Sequence, residues 1–298
     1  MASVVTRKGD AMMLSLANIL FNGVAYGMLL FLIAVGLSVT MGLMGFANLA
    51  HGAFAMLGGY VTATLMAKAG WPFFATLPAA FVLVGLASLV LERTLYRRLY
   101  RAGELDQVLL TIGVVFMAVA GATYVWGPSQ APIRVPSYLT GTVAIGPFDW
   151  GVYRLFLIAM GAVVTLALIV GLERTRFGAM IRAAVDNPRM ATGLGINVDR
   201  VFSITFMLGS GLAGLGGALG VNLIGLDPSF PIKYMVYFLI VVAVGGLGSI
   251  KGSLIAAIVL GVCDVAGKYY LPDTGAFIIY VIMVSLLLWR PLGLFGRR

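Results

Sequence analysis

The sequence predicts an all-α polytopic membrane protein, and three observations carry that prediction. Of its 298 residues, 61% are hydrophobic and only 10% are charged, with a mean hydropathy of +1.03; a soluble domain carries about 25% charged residues. Apolar runs recur from one end to the other, each near the roughly 20 residues that cross a hydrocarbon core. The runs are continuous and do not alternate at every second residue, which excludes a transmembrane β-barrel. The expected architecture is about eight transmembrane helices plus two broken, re-entrant half-helices. These form a single domain, 1–298, with both termini on the cytoplasmic side.

A net charge of +9 would suggest nucleic acid in a soluble protein. Here the basic residues sort by position, as membrane orientation requires. Arg7 and Lys8 come first, then Arg93, Arg97, Arg98 and Arg101. Arg174, Arg176, Arg182, Arg189 and Arg200 occupy the loop 172–200, and Arg290, Arg297 and Arg298 close the chain. Fourteen of the twenty Lys and Arg fall in these four groups, so each group is assigned to the cytoplasm.

The spans follow from that assignment. An apolar run over 11–35, longer than a signal-peptide core, reads as a retained first span. Residues 73–91, 107–126, 151–171, 201–224 and 276–290 supply further crossings. Parity then leaves 36–70 and 235–270 each starting and ending outside, so each is expected to dip into the membrane, break and return. The breaks are visible as "GLMGFANLAHG" (42–52) and "GGLGSIKG" (245–252). His51-Gly52 and Lys251-Gly252 lie 200 residues apart, as do Trp71-Pro72 and Leu271-Pro272, which raises the possibility of an internal duplication. Residues 127–151, rich in Pro and Gly, read as an external loop forming a small hairpin or lid. Cys263 is the only cysteine, so no internal disulfide is possible, and its apolar setting suits packing.

Non-helical backbone at membrane depth persists only where protein or water satisfies it. Asn48, His51, Gly52 and Lys251 are therefore candidates for a substrate pathway. The alternatives are that Asn48 and His51 fix helix packing through interhelical bonds and that Lys251 reaches an interface. Asp264, in an apolar run, needs a partner, and Lys268 at i+4 is on the same helix face. Gly209, Ala213 and Gly217 share a face of "LGSGLAGLGGALG" and predict a close helix seam. No metal-ligand spacing is present.

The loop "GLERTRFGAMIRAAVDNPRMATGLGINVDRV" (171–201) is too polar to cross and too long for a turn. Asn187-Pro188 reads as an N-cap with proline at the first helical position, and Gly195 as a left-handed C-cap. These predict a short helix over 188–194, preceded by another over 177–185. So short a helix is marginal alone. It fits either docking on another protein or lying on lipid headgroups.

Four blocks carry a family resemblance: "GLSVTMGLMGFANLAHGAFAMLGGYV", "RFGAMIRAAVDNPRMATGLGINVDRV", "VVAVGGLGSIKGSLIAAIVLG" and "WRPLGLFG". Together, from about residue 15 to 296, they resemble the permeases of ATP-binding cassette importers for branched-chain amino acids. The Asn-x-x-His-Gly of the first block resembles the H-type subunit of the leucine/isoleucine/valine importer family. The resemblance implies a bacterial inner (plasma) membrane protein, multi-pass and not an enzyme, that forms the translocation pathway. It also implies four kinds of neighbour: a second, M-type permease, two ATP-binding subunits, an extracytoplasmic solute-binding protein and membrane lipid. ATP and Mg would be held by the ATPase partners. This chain carries no cofactor in that reading and has no G-x-x-x-x-G-K-[ST] phosphate loop. Coupling to the ATPase would fall on Arg182, Asn187, Pro188, Arg189, Met190, Ala191, Leu194 and Gly195. Ala53 stands where similar permeases often have Glu, and related permeases for urea, short-chain amides or another amino acid are the alternative. An ion-driven carrier would need more titratable groups in the spans than Asp264, and a channel would have no use for the long basic loop.

Overall fold

The computed structural model describes residues 2–46, 48–100, 102–131, 135–146 and 148–296. Arg101, Arg297 and Arg298, used in the charge pattern, lie outside the described residues. The chain is an all-α polytopic membrane protein. Among the described residues, six helices are long and apolar enough to cross a membrane, and two shorter apolar helices accompany them.

Helix α1 (Ala2–Met44) is followed by a break and then α2 (His51–Ala69), α3 (Phe73–Thr94) and α4 (Glu104–Trp126). A short hairpin, β1 (Thr142–Ile145) and β2 (Phe148–Gly151), leads into α5 (Val152–Glu173). Two small helices, α6 (Arg176–Asp186) and α7 (Pro188–Gly193), precede α8 (Val198–Ile224). The last three are α9 (Phe230–Gly245), α10 (Ile250–Tyr270) and α11 (Gly275–Trp289).

Helices α1 and α8 are the most deeply buried, whereas α4 and α5 present most of their surface outward. An isolated helix in lipid gains nothing from hydrophobic burial, so close packing of small residues must hold the bundle together. The seam predicted at Gly209, Ala213 and Gly217 is where that happens. A Cβ at Gly217 would collide with the Ala55 carbonyl of α2, and one at Gly36 of α1 with the Gly209 carbonyl. Ala213 is fully buried between them. The stripe lets α8 touch α1 and α2 backbone to backbone.

Two ends of the bundle can be told apart from contacts. At one, Phe21 of α1 stacks on Trp150 of the hairpin at 4.7 Å, and Tyr269 of α10 bonds to Ser15 at 3.3 Å. At the other, Gly42 of α1 meets Gly248, and Lys251 pairs with Glu173 beside α6. Leu294 N–H also donates to the Val244 carbonyl there, at 2.8 Å. Helix α1 therefore runs from the hairpin end to the α6–α7 end, while residues 290–296 lie at the α6–α7 end.

This departs from the expected topology at one point. A turn was expected between a first span, 11–35, and a re-entrant segment beginning at 36; instead α1 is one continuous helix. Its polar residues near that point are absorbed within the bundle. Thr40 Oγ1 donates back to the Gly36 carbonyl at 3.1 Å, and Ser38 bonds to Ser253 of α10 at 3.0 Å. Nothing there obliges the helix to stop. The second expected dip, 235–270, is a pair of helices, of which α10 is a candidate span and α9 a shorter apolar helix.

The hairpin expected from the Pro/Gly-rich loop is present, with Val143 opposite Trp150 in antiparallel register.

Candidate functional site

Three places hold the residues singled out from the sequence. The first is the break between α1 and α2. Gly45 takes φ +63, in the left-handed region where a side chain is disfavoured, and ends α1. Asn48 Oδ1 accepts the Ala50 N–H at 3.1 Å, and Thr111 Oγ1 of α4 accepts the Leu49 N–H at 3.3 Å. These bonds satisfy backbone groups that lipid cannot. His51 then opens α2, with its Nε2 at 2.7 Å from the Ile33 carbonyl. A carbonyl only accepts, so Nε2 carries a proton and donates it. The imidazole edge meets Phe238 of α9, with centroids 6.5 Å apart. Gly52 faces Pro231, where an added Cβ would lie 3.0 Å from its Cα.

Asn48 is 0% exposed and His51 1%. Within the chain, the two sit in a knot where α1, α2 and α9 meet, with Asn48 Nδ2 and His51 Nδ1 buried and unpartnered among the described residues.

The second place is the turn between α9 and α10. Gly246 and Gly248 have φ +94 and +78, and Ser249 Oγ caps α10 by accepting the Gly252 N–H at 3.0 Å. Lys251 points to the surface, where its Nζ lies 2.9 Å from Glu173 Oε1 and both side chains are about half exposed. The structure thus brings Asn48, His51 and Gly52 together and sets Lys251 apart from them.

The third place is the bracket formed by α6 and α7. Both helices begin with the side-chain caps their sequence calls for. Thr175 Oγ1 accepts the Gly178 N–H at 3.2 Å, and Asn187 Oδ1 accepts the Met190 N–H at 3.0 Å, with Pro188 next to it. Gly195, at φ +83, turns the chain out of α7. Asn197 then caps α8 by accepting the Arg200 N–H at 3.0 Å. Beneath the bracket, Ile181, Ala184 and Val201 form a small core of their own, flanked by Phe177, Ile196 and Phe202. Arg182 donates to the Leu172 carbonyl, tying α6 to the end of α5. The bracket is therefore a packed unit anchored to α5 and α8.

Its outer face is apolar where it need not be. Met190 is 67% exposed and Leu194 80%, with Asn187, Pro188 and Arg189 exposed beside them. Ala191 points the other way and is buried at 1%. A six-residue helix has no means to choose which face it buries until it has something to lie on, so this orientation was not readable from the sequence.

Sequence reasoning missed one buried carboxylate. Glu92, near the end of α3, accepts from Tyr100 at 2.9 Å and from Ser203 of α8 at 2.8 Å. Its signal was a Glu inside an apolar run just before the arginines, and it pins α3 to α8 close to the bracket.

Known proteins agree with this picture. A family described as "Branched-chain amino acid transport system / permease component" matches residues 19–287. The chain belongs to that family. It is a membrane transport subunit and not an enzyme. It is 28% identical to the "High-affinity branched-chain amino acid transport system permease protein LivH" of Escherichia coli K12, over 93% of this chain and 94% of that protein. The corresponding permease BraD of Pseudomonas aeruginosa is also 28% identical, over 93% of this chain and 95% of its own. The LivM permease of Escherichia coli K12 is 26% identical over 90% of this chain and 68% of its own. No solved structure matches.

Proposed function

We propose that this chain is the H-type permease of an ATP-driven importer for branched-chain amino acids. Its neighbours in that reading are an M-type permease, two ATP-hydrolysing subunits that hold ATP and Mg, and an extracytoplasmic binding protein. The observation that carries the proposal is the bracket: a rigid, capped unit that buries Ala191 and displays Met190 and Leu194. Two exposed apolar side chains on a packed pedestal suit a protein groove better than water. An ATPase subunit gripping that face would move α5 and α8 together, because the bracket's own core joins them. Arg182, Asn187, Pro188, Arg189 and Gly195 hold the shape of the grip.

On this reading the bracket and the C-terminal residues face the cytoplasm, and the hairpin end faces outward. The N-terminal end of α1 then lies outside, and nine helices cross the membrane, α2 among them. Nine of the described basic residues in the four clusters then fall inside, which agrees with the positive-inside bias. Asn48, His51 and Gly52 serve the pathway by fixing where α2 begins, and Lys251 braces the inner face against Glu173.

The test separates coupling from folding. Met190→Asp and Leu194→Asp change only exposed side chains, so the permease should still assemble with its partner permease in the membrane. Uptake should fall at least about tenfold, because a carboxylate buried in an apolar groove costs more than 1.4 kcal/mol. Ala191→Asp should instead break the bracket and lower the amount of assembled permease. Normal ATP-dependent uptake in both exposed variants would remove the docking assignment.

A further inference from the structure

A cleft of about 500 Å³ opens toward the hairpin end, between α1, α5, α8, α9 and α10. Asp264 of α10 contributes a carboxylate 2% exposed, paired through Oδ2 with Lys268 Nζ at 2.6 Å. Its Oδ1 is buried with no hydrogen-bond partner among the described residues, and so is Oδ1 of Asn22. Arg154, at the start of α5, lines the same cleft, and none of the ion pairs among the described residues uses it. Tyr26, Tyr234 and Tyr237 supply aromatic faces, and Lys268 already lies over the Tyr26 ring at 5.7 Å. Leu223, Ile224 and Val265 supply the apolar part of the wall.

Buried charge at membrane depth is costly unless it is paired, and in transport proteins it marks the route of a polar solute. An acidic and a basic group with spare bonding capacity, held in one cleft with an apolar wall, complement one class of ligand. We propose that this cleft is a transit site for a zwitterionic α-amino acid with a branched apolar side chain. Asp264 Oδ1 receives the ammonium, Arg154 the carboxylate, and Leu223, Ile224 and Val265 the side chain. Lys268, half exposed, is free to yield its place on Asp264 as the ammonium arrives. A neutral amide or urea would give Arg154 no counter-charge and Asp264 Oδ1 no cation, so the cleft itself selects against them. This deepens the importer reading and rests on it.

The test uses the full importer, with its partner permease and ATPase subunits, in nanodiscs without binding protein. Labelled leucine should bind saturably, and neither isoamylamine nor isocaproate in large excess should displace it. Asp264→Asn and Arg154→Gln should each weaken leucine binding by about tenfold or more, as expected for one charge-assisted contact. In Arg154→Gln, isoamylamine should gain on leucine, because the carboxylate has lost its partner; a purely structural defect would not reorder ligands. Equal leucine affinity in wild type and both variants would overturn the assignment. So would release of the partner permease by either variant, since the cleft would then be a subunit seam. ATP-driven uptake of leucine by the wild type, measured in proteoliposomes with the binding protein, tells the two readings apart. Uptake with unaltered variant binding sinks the cleft alone, whereas no uptake of any branched-chain amino acid sinks the importer reading.

Discussion

The two glycine-rich breaks are composed of similar residues and built in opposite ways. At 45–50 the chain turns inside the protein, and Asn48, Thr111 and the Ile33 carbonyl satisfy what the backbone and His51 expose. At 246–249 it turns at the end of the bundle, where residues 290–296 cross it. The Leu294 and Phe295 N–H groups donate to the Val244 and Gly245 carbonyls, at 2.8 and 3.3 Å. The polar residue that follows the first break is sealed in; the one that follows the second reaches the surface and pairs with Glu173. Glycines mark where a helix stops, but the depth of the stop decides what the neighbouring polar residue must do. A buried imidazole has to be part of the packing, while an exposed lysine can be a brace with little weight on it.

That contrast predicts unequal costs. His51→Ala should be the most damaging change at either break. It removes the bond to Ile33 and leaves a cavity among α1, α2 and α9, for about 2–4 kcal/mol. The readout is a lower thermal midpoint of the purified, assembled importer. Ser249→Ala at the second break removes one helix cap and should cost about 1 kcal/mol by the same measurement. Losses of equal size would mean that the second break is as integral as the first, and the contrast would fail.

Much of this was legible beforehand, for identifiable reasons. The bracket helices were expected over 177–185 and 188–194 and run Arg176–Asp186 and Pro188–Gly193, because Asn187-Pro188 and Gly195 are local signals that need no tertiary context. The Asp264–Lys268 pair and the α8 seam followed from helix periodicity alone. The continuity of α1 did not. Hydropathy measures a run against a slab about 30 Å thick, and a 43-residue helix that outruns the slab reads as two segments. The turn expected at 36 was what set the parity of every later span, and the continuous α1 removes it. The inward face of Ala191 was hidden for a different reason: it depends on Ile181, Val201 and their neighbours packing beneath it. The caps at Thr175, Asn197 and Ser249 were readable and overlooked.

The smallest expected effect is the sharpest test of the second break. Lys251 and Glu173 join the start of α10 to the end of α5, but both side chains are half exposed and screened by solvent. A double-mutant cycle on Lys251→Gln and Glu173→Gln should return a coupling below about 1 kcal/mol in thermal stability, and less at high salt. Uptake should be nearly unchanged in each single variant, because the backbone bonds from Leu294 and Phe295 hold the turn without the pair. A coupling of several kcal/mol would require a desolvated pair. The only way to desolvate it is for another protein to cover that face next to the bracket, so a large value would extend the docking surface from α7 to the start of α10.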